Sequence, residues 1–444
     1  MQENFFTKNK SILTFLILEV VALSAFNFGN ISYIFGLAGA FLAVVGLFFF
    51  LGTSKSKKDG LFVLIPVILL LAISLIGTFN KFGSQNYSTF LNVSFLLSVP
   101  AFFALGFFLR KLEDVKTKTV LLVVGAALAL ITLFGLLSTL IQYGFFYKLI
   151  YRNKPLYYYN GVPYDVTKEM YWLNGFGFTE VFIEYGSLFA IMCAAFLPGL
   201  LFISPKQERN EFIVCAVIGG VGLLTLLIIP HLGGLLVLAV VSLFGFLYKF
   251  FGKNKKVMKI AGISFLVIVG LVFLFFALAL INSLAGYKFS GILNRIFVQN
   301  RYMMNVVQVF QIEKIGTKSL NLFGLDMIYD AKNVTWLETY MFEAQIIKEA
   351  GLIGALLFFL FMLVSGFFVF HYFKNGKDSP AEKTIFISMI LAFFVFESLF
   401  HVVSIAPHES LYNSFLRSPK LLTVLFLMGF VFTLPEEKEE EQHE

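Results

Sequence analysis

About twelve apolar runs of membrane-spanning length follow one another along this chain, and lysines gather at every second gap between them. The chain has 444 residues, 58% of them hydrophobic, and a mean hydropathy of +0.84. That is more apolar surface than a water-soluble core can hide, so lipid must be its solvent. Each run is long enough, at roughly twenty residues, to cross about 30 Å of hydrocarbon as a helix. The runs predict helices near 11–28, 33–52, 61–78, 91–109, 119–141, 178–203, 212–229, 232–250, 257–283, 347–370, 384–405 and 414–434. The expected fold is therefore an all-α polytopic membrane protein, one transmembrane domain over 1–434, with a large outer loop between the ninth and tenth helices.

The charges orient it. Lys8 and Lys10; Lys55, Lys57 and Lys58; Arg110, Lys111, Lys116 and Lys118; Lys206 and Arg209; Lys249, Lys253, Lys255, Lys256 and Lys259; and Lys374, Lys377 and Lys383 all fall in one of the two sets of gaps. By the positive-inside rule that set faces the cytoplasm, which puts both termini there and agrees with an even number of spans. The same lysines account for most of the net charge of +7, so no nucleic-acid partner is implied. The first run follows a basic N-terminus but is long for a signal peptide, and is read as an uncleaved helix. Cys193 and Cys215 fall inside predicted helices, which leaves neither a disulfide framework nor a zinc site. The final stretch, 435–444, is a short acidic tail expected to be disordered on the cytoplasmic side.

With this topology the outer face carries two sizeable loops, 142–177 and 284–346, and function is expected there, on loops held by a rigid scaffold. The first mixes Tyr157, Tyr158, Tyr159, Tyr164, Tyr171 and Trp172 with Lys148, Arg152, Lys154 and Lys168. Such aromatics serve as interfacial anchors, or as a platform for sugar rings beside cations for phosphate. The second opens on GILNRIFVQNRYMMNVVQVFQIEKIG, where Ile296, Met303, Val307 and Phe310 recur at helical spacing. Asn294, Arg301, Asn305 and Gln308 share a narrow arc on the other side, either a polar stripe facing a cavity or a solvated face. A turn-rich stretch, SLNLFGLDMIYDAKN, follows, with Asn321 expected on an exposed outer turn. The chain then re-enters the membrane at WLETYMFEAQIIKEAGLIG.

Arg301 in NRYMMNVVQVF, the turn Leu322-Phe323-Gly324, the pattern E-x-G-L-I-G from Glu349 to Gly354 and the segment GFGFTEVFIEYG from Gly175 to Gly186 together resemble the O-antigen ligase and polymerase family. The resemblance covers the topology of the whole chain and rests on short motifs. It implies transfer of a glycan from an undecaprenyl-diphosphate carrier to an acceptor hydroxyl on the outer face of a bacterial cytoplasmic membrane, without metal or other cofactor. Its implied partners are that lipid-linked glycan, an acceptor glycan or lipid, membrane lipid, and chain-length regulator or flippase proteins. The family places an Arg at the outer end of the seventh and eighth helices, where this chain has His231, and an Arg in the large loop, matched by Arg301 with Arg295 as the near alternative. A family His before the tenth helix falls near Tyr340, with Glu338 and Glu343 close by. That departure weakens a ligase assignment more than a polymerase one.

The chemistry itself asks for two groups. A cation must neutralise charge growing on the departing diphosphate, and a base benefits the attacking hydroxyl. Arginine suits the first role through its planar, permanently charged fork. Arg301 is the first candidate, followed by Arg295, Arg152 and Arg417. Glu338, Glu343 and His231 are the candidate bases. Glu397 and His401, four residues apart in the eleventh helix, are an ionisable pair at membrane depth, either a proton relay or a structural hydrogen bond. Glu19 and Glu184 raise the same question of a buried, hydrogen-bonded acid.

No Walker loop, no G-x-G-x-x-G after a strand, no HExxH and no Asp-rich cluster occurs, which disfavours an ATP-driven pump, a nicotinamide enzyme and a zincin. Two rivals remain. A peptidoglycan glycosyltransferase of the shape, elongation and division type would need an outer-loop Asp, for which Asp326 and Asp330 are the candidates. A transporter or lipid-linked glycan flippase is favoured by Glu397 and His401 and disfavoured by the lack of an internal repeat.

Overall fold

A computed structural model of the chain describes residues 5–25, 32–53, 58–82, 89–112, 115–143, 158–159, 162–163, 189–228, 232–252, 254–286, 288–299, 310–314, 317–324, 342–400 and 419–432. Within them the protein is helical apart from two short β-hairpins. The helices are α1 (Phe5–Ala25), α2 (Ser32–Thr53), α3 (Lys58–Phe82), α4 (Thr89–Lys111), α5 (Thr117–Tyr143), α6 (Phe189–Phe202), α7 (Arg209–Ile228), α8 (Leu232–Phe251), α9 (Lys255–Leu284), α10 (Phe342–Asn375), α11 (Pro380–Phe400) and α12 (Pro419–Phe430). Among the described residues five of them, in α2, α5, α7, α8 and α10, are long and apolar enough to cross a membrane. Shorter apolar helices lie at Phe62–Thr78, Phe189–Phe202, Leu274–Leu284 and Leu421–Phe430.

Local chemistry sets the ends of these helices. At the start of α11 the Ser379 amide donates to Glu382 Oε2 at 2.9 Å. The Glu382 amide returns the bond to Ser379 Oγ at 3.3 Å, a reciprocal cap completed by Pro380 in the first turn. At the other polarity, Arg110 and Lys111 close the last turn of α4, where cations suit the helix dipole. The last turn of α6 tightens to a 3-10 helix at Pro198–Phe202.

The interior is organised around α4. It contacts α1, α2, α3 and α12, and its residues from Ser98 to Leu109 are buried on every side. In α12 the residues from Leu421 to Phe432 are buried in the same way. A helix apolar all round belongs at the centre of a bundle, and these two cross there. Hydrophobic burial does little to hold helices together in lipid, so close packing has to do it. Two glycines make the approach possible. A Cβ on Gly106 would lie 2.0 Å from the Phe426 carbonyl oxygen, and one on Gly429 would lie 1.9 Å from that of Phe103. Phenylalanines fill the space beside the crossing. Phe103 meets Phe361 and Phe432 edge-on, at centroid distances of 5.7 and 5.5 Å, and Phe386 stacks on Phe430 at 5.5 Å.

One end of the bundle gathers the basic gaps. Asp378, in the α10–α11 turn, accepts from Arg110 Nη2 at 2.9 Å, Thr117 Oγ1 at 2.8 Å and Tyr372 Oη at 2.7 Å. The guanidinium lies 5.2 Å from the Phe430 ring centroid and also donates to Thr117. Lys118 pairs with Glu211, and Lys249 lies over Phe202 at 5.0 Å. Four of the lysine-bearing connections therefore share one face of the protein.

The glycine crossing is directly testable. Gly106→Ala places a methyl against backbone that cannot step aside, whereas Gly220 has open space around its Cβ position. Gly106→Ala is expected to reduce the monodisperse fraction on detergent gel filtration severely, with Gly220→Ala close to the parent protein.

Candidate functional site

At the opposite end of the bundle, α10 is interrupted at Gly351, whose φ of 69° and ψ of −172° lie outside any helical region. Only glycine adopts that conformation readily. The interruption removes the helical partners of several main-chain groups, and in a water-poor setting such groups must find others. They find them in the turn Leu322-Phe323-Gly324. The Leu352 amide donates to the Asn321 carbonyl at 2.9 Å, and the Ile353 amide to the Leu322 carbonyl at 3.1 Å. Asn321 Nδ2 donates to the Ile347 carbonyl at 2.8 Å, on the other side of the break. The fit is close: a Cβ on Gly351 would lie 2.2 Å from the Leu322 carbonyl carbon.

The turn is delivered by a hairpin. Strands β3 (Gln311–Lys314) and β4 (Thr317–Leu320) pair antiparallel, Gln311 opposite Leu320 and Lys314 opposite Thr317. The Asn321 amide donates to the Phe310 carbonyl at 2.8 Å and closes its base. Phe310 and Phe297, each 2% exposed, pack in one cluster with Ala279, Ala344 and Ile347. The hairpin end, the start of the second loop and the first turns of α10 are thus one packed unit.

Polar side chains line the first turns of α10. Gln345 Nε2 donates to Glu349 Oε1 at 2.5 Å, and both residues are buried. Glu343 is half-buried, and its Oε1 accepts from Ser398 Oγ at 2.9 Å. Ser398 stands beside Glu397, itself buried, near the end of α11. Lys348 is half-buried on the same stretch. The two helices run antiparallel from the Asp378 turn, so Ser398 lies about 27 Å from the start of α11, roughly one hydrocarbon thickness from the basic end.

Of the candidate bases and substrate-binding residues named from the sequence, Glu343 and Arg295 are described. Arg295 is exposed, in a short π-helical turn, Arg295–Gln299, that follows the helical turn Gly291–Asn294. It stands two residues from buried Phe297, so it borders the cluster that holds Ala344 and Ile347. Glu338, His231, Arg301, Arg152, Tyr340 and Arg417 lie outside the described residues, as do Asp326, Asp330, His401 and Glu184. Among the described residues no group of three or more His, Cys, Asp and Glu side chains is placed to hold a metal ion.

Three expectations require correction. The helical pattern of 291–316 does not reach its end, because 311–314 is a strand. In the first turns Phe297 is buried and Ile296 is 39% exposed. Asn321 is fully buried rather than on an exposed turn. Glu19 faces outward from α1 rather than into the bundle. Sequence signals for the hairpins existed. Gly316 sits in a two-residue connection before Thr317, and Asn160-Gly161 separates β1 (Tyr158–Tyr159) from β2 (Val162–Pro163), a strong hairpin dipeptide.

Fold and site together define a helical membrane protein with a structured hairpin seated on a broken helix at one end. A scan against known protein families found no matching model, and searches of curated proteins and of solved structures found no match.

Gly351→Ala is expected to unseat the turn, through both the positive φ and the collision with Leu322. Gly366, farther along α10, has open surroundings and an ordinary helical φ, so Gly366→Ala should be neutral. A thermal-unfolding midpoint that falls in the first variant only, measured in detergent, is the expected outcome; equal midpoints would show that the break tolerates a side chain.

Proposed function

We propose that the protein is a cell-envelope polysaccharide polymerase or ligase that transfers a glycan from an undecaprenyl-diphosphate-linked donor to an acceptor hydroxyl on the outer face of a bacterial cytoplasmic membrane. One observation carries the reading. Leu322-Phe323-Gly324 and the E-x-G-L-I-G pattern, two of the short motifs behind the family resemblance, lie 25 or more residues apart and are joined in the folded chain by a main-chain hydrogen bond from Ile353 to Leu322, with a second from Leu352 to the preceding Asn321. The joint lies at the end of the bundle away from the lysine-bearing connections, the end this reading assigns to the outside. Twelve spans, with both termini inside, complete the topology.

In this reading Glu343 at the start of α10 is the candidate base for the attacking hydroxyl, held by Ser398. Arginines of the large loop, Arg301 first and Arg295 next, neutralise the departing diphosphate. A donor already activated by its diphosphate needs no nucleotide or metal from the protein. A transporter is the second reading, and buried Glu397 on α11 is what favours it, because an intramembrane acid is costly to keep without a role.

Three measurements bear on this. Single cysteines replacing Lys57, Lys255 or Lys377 should be shielded from an impermeant thiol reagent in intact cells, while one at Phe323, which is 55% exposed, should react; labelling of the Lys255 position from outside would reverse the topology. With purified protein, lipid-diphosphate glycan and acceptor in detergent, Glu343→Gln should slow transfer about 100-fold. Arg301→Lys, which keeps charge but loses the bidentate fork, should lose about as much, whereas Glu397→Gln should change little. Absence of product from the parent protein, together with gradient-dependent movement of substrate in proteoliposomes that requires Glu397, would replace the transferase by the transporter.

A further inference from the structure

We propose that Asn321 is a positioning residue that docks the 311–320 hairpin on α10, and so holds in place the first turns of that helix, which carry the acid Glu343. The inference rests on the transferase reading above, but its structural half stands alone. Asn321 is 0% exposed, and all four of its hydrogen-bonding groups are engaged. Its amide donates to Phe310, which closes the hairpin; its carbonyl accepts from Leu352. Its Nδ2 donates to Ile347, and its Oδ1 accepts from the Gly324 amide at 2.8 Å. One residue thus ties three pieces of chain: its main chain joins the hairpin base to α10 after the break, and its side chain joins the Gly324 end of the turn to α10 before the break.

The choice of asparagine is chemically specific. The Ile347 carbonyl needs a donor and the Gly324 amide needs an acceptor, and a neutral primary amide supplies both from one planar group. Aspartate has the same shape but no donor, and would set a carboxylate oxygen against the Ile347 carbonyl in a buried site. Alanine removes both bonds and leaves the main-chain pair to hold the turn alone. The consequence reaches the reaction through Phe310. That residue precedes the hairpin, follows directly on the segment that contains Arg301, and packs with Ala344 and Ile347. Ala344 neighbours Glu343. Undocking the hairpin therefore removes the packing beside Glu343 without altering that side chain.

A loop docked in only a fraction of molecules raises the apparent donor KM by the reciprocal of that fraction. Saturating donor re-docks the loop and restores most of kcat. This distinguishes positioning from general damage, which removes active protein and lowers kcat at unchanged KM.

The experiment uses the full chain in detergent, with Cys193 and Cys215 replaced by Ala and a reporter cysteine at Ala344, a fully buried position. In the parent the reporter should react slowly with a maleimide. In Asn321→Ala and in Asn321→Asp it should react at least tenfold faster, and undecaprenyl diphosphate in the micelles should slow it again. In turnover assays without the reporter, both variants should show a donor KM at least tenfold higher with kcat within about threefold. Unchanged labelling in both variants would overturn the clamp. Faster labelling with unchanged KM, or no protection by undecaprenyl diphosphate, would overturn the positioning role. A parent protein that shows clamp-dependent labelling yet never forms product defeats the transferase reading instead, and is distinguishable because the labelling needs no turnover.

Discussion

A main-chain group left without a hydrogen-bond partner is expensive in lipid, by several kcal/mol, and the architecture of this protein follows from where that demand is met. Within straight helices it is met automatically. At Gly351 it is not, and the chain resolves the break by seating a turn from a distant hairpin on the exposed groups. The glycine permits the backbone conformation, the Leu322 carbonyl fills the space where its side chain would be, and Asn321 supplies the remaining donor and acceptor. The hairpin is thereby fixed to the bundle through hydrogen bonds to main-chain groups at the break.

The two ends of α10 and α11 show contrasting solutions. At the basic end Asp378 collects three donors, from Arg110, Thr117 and Tyr372, and locks the α10–α11 turn to α4 and α5. A carboxylate with that many partners makes a rigid corner. At the other end the described side-chain links join uncharged donors to carboxyl oxygens, Ser398 to Glu343 and Gln345 to Glu349, beside a docked hairpin. Between them the glycine crossing of α4 with α12 holds the centre, where packing has to replace the hydrophobic effect.

Much of the helical layout was legible in the sequence. The apolar runs 33–52, 119–141, 212–229 and 232–250 lie within one to three residues of α2, α5, α7 and α8 at either end, because length and hydropathy leave a lipid-embedded segment few alternatives. The grouping of basic gaps was legible for the same reason, and four of them meet through Arg110, Lys118, Lys249 and Asp378. The outer loop was less so. A periodicity of three and four through 291–316 read as one helix, whereas 295–299 is a π-helical turn and 311–314 is a strand. Periodicity reports local preference, and here contacts with α9 and α10 override it. Of the candidate site, Glu343 was found from its place at the membrane re-entry, but Asn321, Gln345 and Ser398 were not, since an amide or hydroxyl in a polar-looking stretch carries no sign that it will be buried.

By itself the sequence determined that this protein belongs in a membrane, that it is largely helical and about where most of its long helices lie, because those properties depend on the transfer of each segment from water and are additive along the chain. Only the tertiary structure decided which helices sit at the centre, which glycines touch, and that a turn at 322–324 completes a break at 351. Those are pairings between distant segments, set by shape and by matched donors and acceptors, and no local property of either partner encodes them.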